Sequence, residues 1–180
     1  MAVSAVVPYW VEASDLGSAG GPAPRLAIVP CPPGGHHLAA AVRSLREQGI
    51  ETLVSLLTVE EARLLKLDAE DRACRDAGIE FRRLPVMDHS IPESMEAYRA
   101  AVEQLRGDLR RGKGVGAHCF AGIGRSCMLM AGLLCLEGLS PDEAFARLSA
   151  ARGLRVPDTW LQSQWVRHFA ESLAQGEARL

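Results

Sequence analysis

The chain has 180 residues, 48% of them hydrophobic, which is enough for one full core and leaves little for a second. Its formal net charge of −2 carries no global basic field of the kind that nucleic acid or an anionic membrane would call for. Five cysteines without a repeating spacing fit a reducing cytoplasm better than a disulfide framework, and no C-x2-C pair is present for zinc.

The N-terminus has no basic start, and Pro8 breaks its apolar run before a hydrophobic region can form, so no signal peptide is indicated. Val6 to Val11 reads as an edge strand and Ser14 to Pro24, rich in Gly, Ser, Ala and Pro, as a loop. Strand signals return at Leu26 to Val29, and a Pro/Gly break at 30–35 precedes a helix over Leu38 to Gln48 that stops at Gly49. His36 and His37 are read as loop or helix-start residues, because no further ligands are spaced to share a metal with them. Ile50 to Leu57 is a buried strand, and Thr58-Val59-Glu60-Glu61 is a capping box opening a short helix. A helix over Ala69 to Ala77, stopped at Gly78, leads into a strand from Ile79 to Leu84.

From Glu93 to Arg111, Met95, Tyr98, Val102, Leu105 and Leu109 recur at steps of three and four, which marks one buried helix face. Val115 to His118 returns to the sheet, although its approach through Gly112, Gly114 and Gly116 lacks the usual β-branched residues. The helix from Ser126 to Leu136 is apolar nearly all round and must be central. Its longest apolar run, about ten residues from Cys127 to Leu136, falls short of the ~20 that a membrane span needs. Ser140-Pro141-Asp142-Glu143 is a second capping box, and a last helix from about Pro157 to Leu173 buries Leu161, Trp165, Phe169 and Leu173. Strands alternating with helices predict a single α/β domain with a central, mostly parallel sheet flanked by helices. Residues 1–24 are expected as an edge strand with a Gly/Pro/Ser-rich loop, and 25–175 as the catalytic domain.

Between the last strand and the central helix lies His118-Cys119-Phe120-Ala121-Gly122-Ile123-Gly124-Arg125-Ser126. A loop leaving a strand and entering a helix N-terminus turns its backbone N–H groups onto one anion. With Cys119 at its base and Arg125 at its far end, it is a phosphate cradle holding a nucleophile in a place that favours a thiolate. Arg125 offers a planar fork that can grip two phosphate oxygens, and Gly122 and Gly124 allow close approach and positive φ. Cys31, Cys74, Cys127 and Cys135 are read as packing residues, any of which could serve as a redox partner for Cys119. The pair Arg152 and Arg155 could rim an anion site, or simply be solvated charges at a helix end.

These residues resemble the H-C-x5-R-[ST] signature of the protein-tyrosine phosphatase superfamily. The segment Pro85 to Pro92 is similar to the acid-bearing loop of its small members, with Asp88 lying 31 residues before Cys119. Arg155 to Gln162 is similar to their closing T-x-x-Q segment. The resemblance implies a compact dual-specificity-type fold, with Cys119 as nucleophile forming a cysteinyl-phosphate and Asp88 as general acid and then base. It implies Arg125 and the amides of Phe120, Ala121, Gly122, Ile123 and Gly124 as the phosphate site, and Ser126 as a donor to the leaving sulfur. His118 would orient the loop through backbone bonds, and Gln162 would stand near the hydrolytic water, with Gln164 two residues away. His89 is the competing acid.

The expected activity is hydrolysis of phosphotyrosine and, given a shallow pocket, of phosphoserine and phosphothreonine, without metal or cofactor, on a phosphorylated protein in the cytoplasm. A small phosphate ester is the alternative substrate, and a phosphate-binding module without turnover is the non-enzymatic alternative. The absence of lysine within the loop disfavours phosphoinositides, and no nucleic-acid or membrane partner is expected.

Overall fold

The computed structural model describes residues 6–16 and 21–177. Five strands form one sheet in the order β1-β2-β5-β3-β4: β1 (Tyr9–Trp10), β2 (Arg25–Ile28), β3 (Thr52–Ser55), β4 (Glu80–Arg83) and β5 (Gly114–His118). β1 runs antiparallel at one edge, and the other four are mutually parallel. Seven α-helices cover the two faces: α1 (Leu38–Glu47), α2 (Val59–Leu64), α3 (Glu70–Ala77), α4 (Met95–Arg110), α5 (Arg125–Leu136), α6 (Pro141–Arg152) and α7 (Trp160–Glu177). This is the single α/β domain with a mostly parallel sheet that the alternation of elements predicts.

Side chains alternate across the strands and divide the core into two. Leu26, Ile28, Val115 and Ala117 pack with α4, α5, α6 and α7, whereas Ala27, Val29 and Leu53 pack with α1, α2 and α3. Beyond Arg125 and Ser126, α5 is apolar throughout, and it is buried along nearly its whole length. On α4, Tyr98 is fully buried, donates from its hydroxyl to the Met128 carbonyl (2.7 Å) and meets Phe169 edge-on at 5.1 Å. Such an edge-on pair adds about 0.5–1.5 kcal/mol beyond burial. Gly132 makes this approach possible, since a Cβ there would lie 2.1 Å from the Tyr98 oxygen.

The glycines of β5 have the same kind of cause. A Cβ at Gly114 would come within 1.9 Å of the Gly49 carbonyl, and one at Gly116 within 2.6 Å of Val29. Close packing, where β-branched residues would not fit, therefore replaces strand propensity in the strand that delivers Cys119. At the other end of the sheet the fully buried Asp108 binds Arg82 at 2.7 Å, Lys113 at 3.3 Å and the Thr52 hydroxyl at 3.1 Å.

Several boundaries differ from the sequence expectations. β1 has only two residues, so Val6 to Pro8 lie outside it although Val6 is buried. β3 stops at Ser55, beyond which the chain leaves toward the site. Helix α7 begins at Trp160, three residues later than expected, because Thr159 caps it: its hydroxyl accepts the Gln162 N–H (3.2 Å) and its own N–H donates to Gln162 Oε1 (3.3 Å). Leu161, expected inside, is 43% exposed in the first turn, while Phe169 is fully buried. Among the described residues no helix is long and apolar enough to cross a membrane.

Candidate active site

Four loops meet beyond the carboxyl ends of the parallel strands, where open α/β sheets bind ligands. The central one runs from β5 into α5. Cys119 lies at its base, 2% exposed, with its Sγ 3.4 Å from the Ser126 hydroxyl. Among the described residues the amides of 120–125 donate to no other backbone group, which leaves a ring of N–H groups free for an anion. Gly122 sits at φ +66, as its place in the loop requires. Gly124 does not need positive φ (φ −89); it needs space, since a Cβ would lie 2.5 Å from Asp158 Oδ2 and 2.8 Å from Gln162 Oε1.

Arg125 is buried, and its fork is heavily used. Nη1 donates to Glu61 Oε2 (2.8 Å) and to the Val86 carbonyl (2.9 Å); Nη2 donates to Glu61 Oε1 (2.9 Å) and stands 3.1 Å from Asp88 Oδ1. Only Nε–H is left without one of these partners, so an anion gripped by Nε and Nη2 must take the place of Asp88. Burial disfavours charge on both Glu61 and Arg125. The hydrogen bonds between them outweigh it, holding the Glu61 carboxyl below its ordinary range and the Arg125 guanidinium above. Glu61 also accepts the Thr58 N–H at 2.9 Å, which closes the capping box of α2.

Asp88 is 55% exposed at the tip of the loop after β4, beside His89, whose Nδ1 lies 3.1 Å from Asp88 Oδ2. His89 takes positive φ (+55), and Ser90 N–H closes the turn onto the Met87 carbonyl at 3.0 Å. His89 therefore faces Asp88, and it is Asp88 that faces Arg125. Gln162 is fully buried: its Nε2 donates to the Ser90 carbonyl at 3.2 Å, while its Oε1 serves the α7 cap.

The His118 carbonyl accepts Leu56 N–H (2.9 Å) at the end of the sheet, and its buried ring makes a contact that sequence reasoning missed, Nε2 lying 2.8 Å from Glu70 Oε1 on α3. Arg152, read from the sequence as an anion rim or a solvated helix-end charge, has contacts that neither reading anticipated: its Nε donates to the Gly122 carbonyl (3.0 Å) and its Nη2 to the Ala121 carbonyl (3.2 Å), with the guanidinium 4.6 Å from the centre of the Tyr9 ring. Burial pushes the thiols of Cys31, Cys74 and Cys135 up to about 12 and that of Cys127 higher still, so none of the four is readily ionised. No group of three or more metal-ligating side chains occurs among the described residues.

A thiol at the base of a ring of free amides, a buried guanidinium and a carboxyl reaching in from another loop can together bind and attack a phosphoryl group. A family model described as a polymorphic toxin system DSP-PTPase phosphatase matches residues 32–139. The cyclin-dependent kinase inhibitor 3 of Rattus norvegicus is 29% identical over 99 residues, which is 54% of this chain and 46% of that protein, so the chain spans about half the length of this relative. Among solved structures, kinase-associated phosphatase bearing serine in place of its catalytic-site cysteine superposes with a TM-score of 0.84 at 21% identity, over 95% of this chain and 97% of that one. Tk-PTP in its active form gives 0.69 at 24% identity, over 82% and 92% of the respective chains.

Proposed function

The chain belongs to the DSP-PTPase phosphatase family of polymorphic toxin systems, a compact dual-specificity-type branch of the protein-tyrosine phosphatase superfamily, and from that premise we propose that it hydrolyses phosphomonoesters through a cysteinyl-phosphate. The observation that carries this reading is the meeting of Asp88 and Arg125 at 3.1 Å above a cradle based on Cys119. Acid, anion clamp and nucleophile come from separate stretches of chain and converge on one small space.

The reaction begins when phosphate takes Nε–H and Nη2–H of Arg125 and the loop amides, evicting Asp88 from the guanidinium. Freed from its cation, Asp88 is left beside the leaving oxygen as the proton donor of the first step. The Cys119 thiolate attacks phosphorus in line. As the S–P bond forms and the P–O bond breaks, Asp88 gives its proton to the leaving oxygen. Water then attacks the cysteinyl-phosphate and loses its proton to Asp88; the thiolate leaves with a hydrogen bond from Ser126, and inorganic phosphate is released. His118 holds the strand end that presents Cys119.

Phe120 and Met87, 60% and 72% exposed, lie next to Cys119 and Asp88 in sequence and give the mouth an apolar rim. No lysine lies within the loop. Both features support an aromatic ester such as phosphotyrosine ahead of polyanionic substrates, with phosphoserine and phosphothreonine admitted where the pocket is shallow.

The test is Asp88→Asn, which keeps the shape and removes the transferable proton. For an alkyl phosphate, kcat should fall by about 10²- to 10⁴-fold, and the loss should be much smaller for p-nitrophenyl phosphate, whose leaving group departs unaided. Equal losses on both substrates, or none on either, would remove Asp88 as the acid and make His89 the residue to test.

A further inference from the structure

Gln162 is a fully buried polar side chain that bridges three segments. It belongs to α7, lies against Gly124 of the cradle, and donates from Nε2 to the Ser90 carbonyl at 3.2 Å. Its Oε1 takes the Thr159 N–H. Both ends of the amide are therefore engaged with protein, and its one free-standing donor contact goes to the loop that carries Asp88. That loop has a matching attachment on its other side, where Arg125 Nη1 binds the Val86 carbonyl at 2.9 Å. Asp88 stands midway, two residues from each anchor.

We infer that Gln162 is a positioning residue for the acid: it fastens the C-terminal limb of the Asp88 loop to the cradle, so that the carboxyl keeps its reach when phosphate displaces it from Arg125. This inference rests on the phosphatase reading above. It differs from the role the superfamily resemblance implies, in which the glutamine serves the hydrolytic water. The physical argument is one of sequence in time. While the cradle is empty, Asp88 has two constraints, the ion pair to Arg125 and the loop's two anchors. Once phosphate has taken Nη2, only the anchors remain. The Val86 anchor is made by the same guanidinium that now grips substrate, whereas the Gln162 anchor is independent of the anion.

The two roles predict opposite kinetics. An acid out of place slows only the step in which the leaving oxygen needs a proton. A water out of place slows hydrolysis of the cysteinyl-phosphate, a step common to every substrate. Gln162→Met keeps the side-chain volume and removes the donor. Gln162→Glu keeps the oxygen that caps α7 and also removes the donor, so a loss shared by both variants cannot come from a failed cap. Thr159→Ala weakens the cap and leaves the Ser90 contact in place.

Steady-state and rapid-mixing kinetics on an alkyl phosphate and on p-nitrophenyl phosphate decide the matter. Both Gln162 variants should lose roughly 10- to 100-fold more in kcat on the alkyl phosphate than on p-nitrophenyl phosphate, the scale of a misplaced reacting group, and show no burst of p-nitrophenol. Added to Asp88→Asn, Gln162→Met should cost nothing more, since the residue it positions has lost its proton. Thr159→Ala should keep the wild-type ratio of the two rates.

A burst of p-nitrophenol followed by slow turnover in Gln162→Met would overturn the inference in favour of the water. An equal loss on both substrates without a burst, or no loss at all, would overturn it too. Failure of the parent reading shows separately, as an Asp88→Asn enzyme with the wild-type ratio of alkyl to nitrophenyl rates.

Discussion

Replacing Glu61 by glutamine removes one charge from the site and little else. The α2 capping box survives, because glutamine serves at the third position as glutamate does. What is lost is the anion opposite Arg125, a fully buried guanidinium held by two hydrogen bonds of 2.8 and 2.9 Å. Orphaning one partner of a fully buried ion pair costs about 3–5 kcal/mol. Glu61 is a quarter exposed, Arg125 keeps the Val86 carbonyl and Asp88, and the glutamine oxygen still accepts one bond, so the loss falls to about 2 kcal/mol, within the range for hydrogen bonds to a charged group.

Urea unfolding reads this as a midpoint lower by about 1 M at a slope of about 2 kcal/mol per molar. The pH dependence supplies the sharper test. The Glu61 carboxyl is held below its ordinary range in the folded chain, so its contribution is fully present above the unfolded value of about 4.3 and is lost as pH falls through the lower folded one. The offset between wild type and Glu61→Gln should therefore hold constant above about pH 5 and shrink below about pH 4. Turnover of p-nitrophenyl phosphate should fall in parallel, since the fork is no longer held toward the cradle. An offset that persists unchanged into acid, or no offset at neutral pH, would refute the claim that this charge is what holds Arg125.

Cys119→Ser should abolish turnover while vanadate still binds, measured by calorimetry, because the cradle stands without the thiolate; turnover near wild type would remove Cys119 as nucleophile. Hydrogen peroxide should inactivate the enzyme and dithiothreitol restore it, with oxidation mapped by mass spectrometry to Cys119 and not to the four other thiols, whose ionisation is pushed up. Gly124→Ala meets no backbone obstacle at φ −89, yet its Cβ would press on Gln162, which is tied at both ends. It should cost about 1–3 kcal/mol in urea unfolding and, by shifting Gln162, lower alkyl-phosphate turnover more than nitrophenyl turnover; an unchanged midpoint would contradict the contact.

Elements with a local cause were legible. The Thr58 and Ser140 capping boxes, the Gly78 stop and the apolar stripe of α4 all depend on residues a few positions apart, and each stands where its spacing indicates. The second duty of such residues was not legible. Glu61 could be read as the third position of a cap, but its hold on Arg125 spans 64 positions; Gln162 could be read in T-x-x-Q, but its bond to Ser90 spans 72. Glu70 shows the same limit, since nothing near it in the chain announces that His118 will lie 2.8 Å away. The late start of α7 was a misweighed local signal: Pro157 suggested the first helical turn, whereas Thr159 with Gln162 formed a better cap.

Arg152 gives the cradle a back as well as a front. A peptide unit whose oxygen is fixed on one side has its N–H fixed on the other, so by catching the carbonyls of Ala121 and Gly122 this arginine aims the amides of Gly122 and Ile123 at the opposite face. The arginine and a bound phosphate never meet; a row of aligned dipoles stands between them and passes the positive potential inward. Tyr9 in turn supports Arg152 with the face of its ring. A two-residue strand at the edge of the sheet thus buttresses the rear wall of a pocket more than a hundred residues further along the chain, and the polarity of that pocket is set partly from outside it.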